Sequence, residues 1–290
     1  MATESFSLFD LAPGRVFAER FRIEKVHRHN GLAPAFLAED QKSGELICLT
    51  VFSPSTFEST AQAEEFRVSC QAWTRVKSPH VAKVREIVAL PSAGIAWVSE
   101  VPHGEALKRF TEEKKRMEIA RALKVGLALL DGLAAIHHVG LVHGDIKPST
   151  VYVDGKAKKL GVELVDGGIT PGLWNAKHLG ERTALIGTPF YAPVEQFGGE
   201  SPDVQSDVYN VAAVLFELIT GVLPWPGKSY LEIFQAKLDR HAPSMQKRAP
   251  DLELPSGLEG AIAGGLVADR RERYPSVAEF RAALERVVAE

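Results

Sequence analysis

The residues best equipped for chemistry lie in one stretch. From Leu141 to Val151 the chain reads Leu-Val-His-Gly-Asp-Ile-Lys-Pro-Ser-Thr-Val, and beyond a turn at Asp154-Gly155 it reads Leu164-Val165-Asp166-Gly167-Gly168. An imidazole, two carboxylates and an ammonium are thus brought close along the chain. These are the side-chain types that move protons and neutralise anions.

Such groups work only when rigid elements hold them. Before about Val101 the pattern is one of short apolar runs, such as Ile47 to Phe52 and Ile95 to Val101, bounded by turn residues at Lys42-Ser43-Gly44 and Pro91 to Gly94. That predicts strands of an antiparallel sheet. One helix interrupts them, from about Ala61 to Val76, with Phe66, Cys70, Trp73 and Val76 on a single stripe. Beyond Gly104 helical spacing takes over. Met117 to His138 carries Ile119, Leu123, Leu127 and Leu130 at helical intervals, and Val208 to Thr220 is apolar nearly all round before Gly221. The second reads as a buried central helix with a glycine cap. A last helix opens at Ser276 with Glu279 in capping-box register and places Val277, Phe280, Leu284 and Val287 on one face.

The expected fold class is therefore α+β, bilobal, with a small antiparallel β-sheet lobe holding one helix and a larger, mainly α-helical lobe, and with ligands bound between them. Residues 1–15 read as an N-terminal leader, 16–101 as the small lobe and 102–290 as the large lobe. The 290 residues carry 34 Lys plus Arg against 37 Asp plus Glu, a formal charge of −3 with the two signs interleaved, which argues against nucleic-acid binding. Cys48 and Cys70 are the only cysteines, too few for a disulfide framework or a zinc-ligand set, as suits a cytoplasmic protein. No apolar run is long enough to span a bilayer, so no membrane insertion is expected.

The stretch around His143, Asp145 and Lys147, followed by Asp166-Gly167-Gly168, resembles the catalytic loop and metal-binding turn of the bacterial serine/threonine protein kinases. Further matches follow in the family's order: Gly187-Thr188-Pro189-Phe190-Tyr191, Pro193-Val194-Glu195-Gln196, Ser206-Asp207-Val208-Tyr209, and Arg273. The resemblance implies that Asp145 stands where the family's base accepts the substrate proton and Lys147 where the transferred phosphate is steadied. It implies that Asp166 is the metal position if nucleotide binds. It also implies that Asp207 ties the catalytic loop to the central helix, and that Glu195 and Arg273 form a buried ion pair.

Elsewhere the chain departs from the family. Arg28, Asn30 and Ala33 stand where a loop of three glycines would let backbone N–H groups approach phosphates. Thr50 stands in place of the strand lysine and Ser69 in place of its partner glutamate, so both members of an ion pair are gone. Gly144 replaces the arginine that would read a phosphorylated activation segment, Thr150 replaces the metal-binding asparagine, and Gly167 replaces a phenylalanine. Cys48 and Tyr152 crowd the expected adenine pocket, which Val101 would border. Asp145 and Lys147 are then remnants, and Thr50, Thr150, Tyr152, Val101 and Asp166 outline a degenerate nucleotide cleft.

The expectation is a pseudokinase: a protein-binding or regulatory module whose partner is a protein, such as an active kinase or a signalling complex. No cofactor is expected, and ATP with Mg²⁺ would be held weakly at best. Two alternatives remain open. One is a weakly active or atypical serine/threonine kinase using Asp145 and Asp166, with Arg28 or Lys25 supplying positive charge. The other is a nucleotide-binding switch with an anion entering near His27, Arg28 and His29. Thr183 and Thr188 are activation-segment candidates for phosphorylation, although Thr188 in the family meets the catalytic Asp and Lys instead.

Overall fold

The computed structural model describes residues 11–90, 93–113, 115–155, 160–177, 189–227, 229–239 and 241–289. Thr183, Gly187 and Thr188 lie outside the described residues. The chain divides into two compact units: Met1–Lys77, Ala82–Pro102 and Asn175–Lys177 form unit 1, and Ser78–Val81, His103–Trp174 and His178–Glu290 form unit 2.

Unit 1 is built on an antiparallel sheet. Its strands are β1 (Val16–Phe17), β2 (Phe21–His29), β3 (Pro34–Asp40), β4 (Glu45–Phe52), β5 (Val84–Ala89) and β6 (Ile95–Ser99), in the order β1-β2-β3-β4-β6-β5. Strand alternation gives the sheet two different faces. On β4, Ile47, Leu49 and Val51 join a fully apolar core with Phe21, Ile23, Phe36 and Ala38. Cys48, Thr50 and Phe52 fall on the opposite face. There the helix α1 (Thr60–Cys70) packs, its Phe66 ring 5.0 Å from that of Phe52. Ser59 caps α1 by accepting the Gln62 N–H.

The single helix expected through Val76 stops early. After Cys70 the chain tightens into a 3₁₀ turn over Gln71–Arg75, with the Thr74 hydroxyl bonded to Gln71 O. The tighter winding still buries Trp73 and Val76, so the apolar stripe survives although the helix does not. Arg20 closes one edge of the sheet, donating from Nε and Nη2 to Asp40 at 2.8 and 2.7 Å and pairing with Glu86. That guanidinium holds the Asp40 carboxyl below its ordinary pKa.

Unit 2 begins with β7 (Glu105–Ala106), α2 (Leu107–Glu112) and α3 (Ile119–His138), then β8 (Val151–Asp154) and β9 (Gly161–Leu164), which join β7 in a small sheet of order β7-β8-β9. There follow α4 (Ile169–Ala176), α5 (Val194–Phe197), α6 (Val204–Thr220), α7 (Tyr230–Lys237), α8 (Met245–Arg248), α9 (Leu258–Leu266) and α10 (Val277–Ala289). The central helix α6 is buried along nearly its whole length, and Gly221 ends it at φ +75°. It starts a turn before Val208. Asp203 and Ser206 form a reciprocal capping box with Ser rather than Glu as the returning partner, and this polar first turn is invisible to an apolar pattern. Met117 precedes α3 instead of opening it, because its N–H is bound to Leu218 O at 2.7 Å. No helix among the described residues is long and apolar enough to cross a membrane.

Candidate functional site

The loop from His143 to Thr150 has no regular structure, so its shape depends on what its backbone is bonded to. Asp207, fully buried on α6, accepts the N–H of His143 at 2.9 Å and of Gly144 at 2.8 Å, and His137 Nε2 lies 2.8 Å from the same carboxylate. A buried carboxylate is tolerable only when such donors surround it. Asn210, one turn further along α6, accepts the Ile146 N–H. The His143 ring is enclosed: Nδ1 accepts the Asp145 N–H at 3.3 Å, which leaves Nε2 to donate to Val165 O at 3.1 Å. Burial lowers the His143 pKa, against the opposing pull of Asp207, Asp145 and Asp166.

Within this frame the Lys147 Nζ sits 2.6 Å from Asp145 Oδ2, and both side chains are largely buried. Thr150 is spent on the backbone. Its hydroxyl accepts the Lys147 N–H at 3.1 Å and faces the Asp145 and Lys147 carbonyl oxygens at 3.0 and 3.1 Å. Asp166 adopts φ +60°, a conformation that Asp tolerates better than most residues, and Gly168 anchors the turn through its N–H to His143 O. Tyr152 on β8 is buried opposite Ala106 and Glu163. Glu195 and Arg273 meet through two bonds of 2.6 and 3.1 Å, with the Arg273 side chain fully enclosed.

Gly144 has a steric reason to be glycine. It sits at φ +80°, and a Cβ there would lie 2.6 Å from Pro171 Cδ and 3.2 Å from Pro202 Cβ. No arginine enters this position without moving two prolines.

In unit 1 the β2–β3 connection closes on itself. Asn30 is buried and its Oδ1 accepts the N–H groups of Leu32 at 2.9 Å and Ala33 at 2.8 Å, while Gly31 N–H donates to His29 Nδ1. This is an Asx turn. Pro34 follows with no N–H at all. Successive backbone donors of the loop are therefore already engaged. The preceding Arg28 sends Nη1 to within 3.1 Å of Cys48 Sγ on β4. Two residues along, Thr50 is buried between its strand neighbours Ala35 and Trp97, and its hydroxyl makes no hydrogen bond to a described group. Ser69 turns its hydroxyl back to Phe66 O in its own helix. Val101 lies half-buried just after β6. Cys48 and Cys70 are both buried and unbridged, and burial pushes the Cys70 thiol up to about 12.

The Asn30 turn was signalled by the Asn30-Gly31 dipeptide, a strong turn former. A second feature, Lys237, had no signal in the sequence; it looks like an ordinary helix lysine and is buried in the structure.

Residues 31–275 match the family model described as the protein kinase domain. The chain belongs to that family. Among curated relatives it is 29% identical over 287 residues to the serine/threonine-protein kinase PksC of Streptomyces coelicolor, covering 95% of this chain and 50% of the relative. It is 27% identical over 268 residues to a probable serine/threonine-protein kinase PknB of Lactococcus lactis, covering 92% of this chain and 42% of the relative. The chain thus spans half or less of the length of these relatives. The crystal structure of the Mycobacterium tuberculosis PknI kinase domain superimposes with a TM-score of 0.69 over 95% of this chain and 99% of that one, at 20% identity. A single-site mutant of the same domain reaches 0.74 over 98% of this chain and 100% of that one, at 18% identity. The α+β arrangement is that of the protein kinase fold.

Proposed function

We propose that this domain is a pseudokinase: a kinase-like module that binds a partner protein, such as an active kinase or signalling complex, and regulates it without transferring phosphate. The observation that carries the reading is the Asn30 turn. Phosphate binding by a backbone loop needs unengaged N–H groups, and here Gly31, Leu32 and Ala33 donate to side chains of the loop itself.

Three further features agree with it. Thr50 supplies no charge at the position where the family has a lysine, and Ser69 supplies none at the position of the partner glutamate. Thr150 commits its hydroxyl to the backbone, which leaves Asp166 as the one metal ligand carried over from the family's pattern. These residues are a poor fit for an ATP–Mg²⁺ pair. Losing a single preorganised electrostatic donor costs roughly 10²–10³ in rate, so several such losses remove ordinary turnover even after discounting for non-additivity. The same reading puts this binding in the cytoplasm.

The opposing reading is an active serine/threonine kinase. It is favoured by the names of the relatives and by the Asp145–Lys147 pair, which is retained at 2.6 Å. A radiolabelled ATP assay with wild type, Asp145→Asn and Asp166→Asn separates the two. We expect no label transfer above background in any of them. Transfer by wild type that both substitutions abolish would establish the kinase and end the pseudokinase reading.

A further inference from the structure

Residues 189–192 belong to no helix or strand, yet each of their four carbonyl oxygens is held by a buried side chain. Lys237 Nζ, at the C-terminal end of α7, donates to Pro189 O at 2.8 Å, Phe190 O at 3.1 Å and Ala192 O at 2.5 Å. Asn210 Nδ2 on α6 takes the remaining one, Tyr191 O, at 2.7 Å. Tyr191 is fastened at its other end as well, its hydroxyl donating to Glu217 Oε2 at 2.6 Å.

The ammonium of Lys237 is itself enclosed. The rings of Phe197, Tyr209 and Trp225 surround it with centroids at 5.5, 5.2 and 5.3 Å, and the side chain is 1% exposed. Enclosed ammonium groups of this kind are stable only with oxygen and π-face partners on every side. Burial drives the pKa of Lys237 down to about 7 and Glu195 opposes that loss of charge, while donation to three carbonyls at once requires the three N–H groups of the ammonium form. Lysine is rarely buried so completely in an ordinary core, and a methionine would fill the space without the desolvation cost. What a methionine cannot do is draw three carbonyls of one segment to a point.

We infer that Lys237 is a positioning residue that locks segment 189–192 against α6 from within, so that the surface formed there is set by a buried cation and not by a phosphate on the residues before it. With Gly144 where the family has its phosphate-reading arginine, Lys237 brings a positive charge to the segment from within. Asn210 extends the lock, because its Oδ1 accepts from Ile146 while its Nδ2 holds Tyr191, coupling the segment to the loop that carries Asp145 and Lys147. The inference holds whether or not the chain transfers phosphate, and its test is independent of the kinase assay.

Hydrogen–deuterium exchange over peptides spanning residues 189–194 reads the lock through local opening of the segment, reported by the amides of Phe190, Tyr191, Ala192 and Val194. In the wild-type chain, treated with phosphatase until mass spectrometry finds no phosphate, we expect these peptides to stay protected, with exchange unchanged within a factor of two. In Lys237→Met, exchange there should rise at least tenfold, while peptides from α3 and from β4 keep their wild-type rates. Lys237→Arg, which keeps the charge and several donors, should restore part of the protection. Loss of protection in the dephosphorylated wild type would overturn the inference. So would a Lys237→Met chain with unchanged exchange at 189–194. Uniform deprotection of unit 2 in that variant would also overturn it, by making Lys237 a general core residue.

Discussion

Gly144 offers the sharpest quantitative test, because its two constraints are separable. Substitution by alanine forces an L-residue into φ +80°, which costs about 1–2 kcal/mol. It also places a Cβ 2.6 Å from Pro171 Cδ and 2.9 Å from Pro171 Cγ, a contact that obliges a ring to shift, and such overpacking costs typically about 1–3 kcal/mol. Together Gly144→Ala should lose about 2–5 kcal/mol, measured as a shift in urea midpoint at unchanged slope. Pro171→Ala in the same chain removes the nearer obstacle and should recover about 1–3 kcal/mol while leaving the backbone cost in place. A loss below about 0.5 kcal/mol for Gly144→Ala, the range of an indifferent surface change, would refute the steric account. The functional corollary is that Gly144→Arg does not restore a phosphate reader; it unfolds the loop first.

Arg273→Ala should cost about 3–5 kcal/mol by stranding the buried Glu195 carboxylate, whereas a paired replacement of both by Met should cost much less, and thermal or urea unfolding distinguishes the two. His143 has a folded-state pKa below its unfolded value, so the unfolded chain binds the extra proton first: its contribution is whole above about pH 6.5 and falls away as pH drops below that, by at most about 1.4 kcal/mol per unit, and His143→Gln should flatten this part of the stability profile. Thr50→Val removes a buried hydroxyl that bonds no described group, so the melting temperature should hold or rise; a drop equivalent to more than about 1 kcal/mol would mean that the hydroxyl is satisfied.

Much of the architecture was legible because burial writes a period into the sequence. Short apolar runs between turn residues marked β4 and β6, and a longer, nearly continuous apolar run marked α6. Boundaries went astray where polar groups took over. Asp203 and Ser206 begin α6 with a capping box whose signal is polar, and Gln71–Arg75 keeps Trp73 inward by changing pitch, a choice that spacing alone cannot express. At the site, the residues around Asp145 and Asp207 could be placed by their order along the chain. The closure of the Asn30 loop depends on which side chain captures which N–H. The enclosure of Lys237 depends on three rings and three carbonyls from four separate segments. The first is a local Asx turn that Asn30-Gly31 signals, whereas the second is not a property of local sequence. Gly144 likewise reads as a missing arginine until Pro171 and Pro202 are seen beside it.

The ties that hold unit 2 together span long stretches of chain, and this constrains how the domain can be made. The amides of His143 and Gly144 await Asp207, Glu195 awaits Arg273, and Arg281 reaches back to the Leu127 carbonyl and to Asp131 on α3. A polypeptide emerging from the ribosome therefore holds a charged Glu195 with no counterion until Arg273 has followed it out, and α3 waits longer still. Folding of this unit should therefore reach completion only late in synthesis. A translational stall between the two residues would expose a half-built core to aggregation or proteolysis.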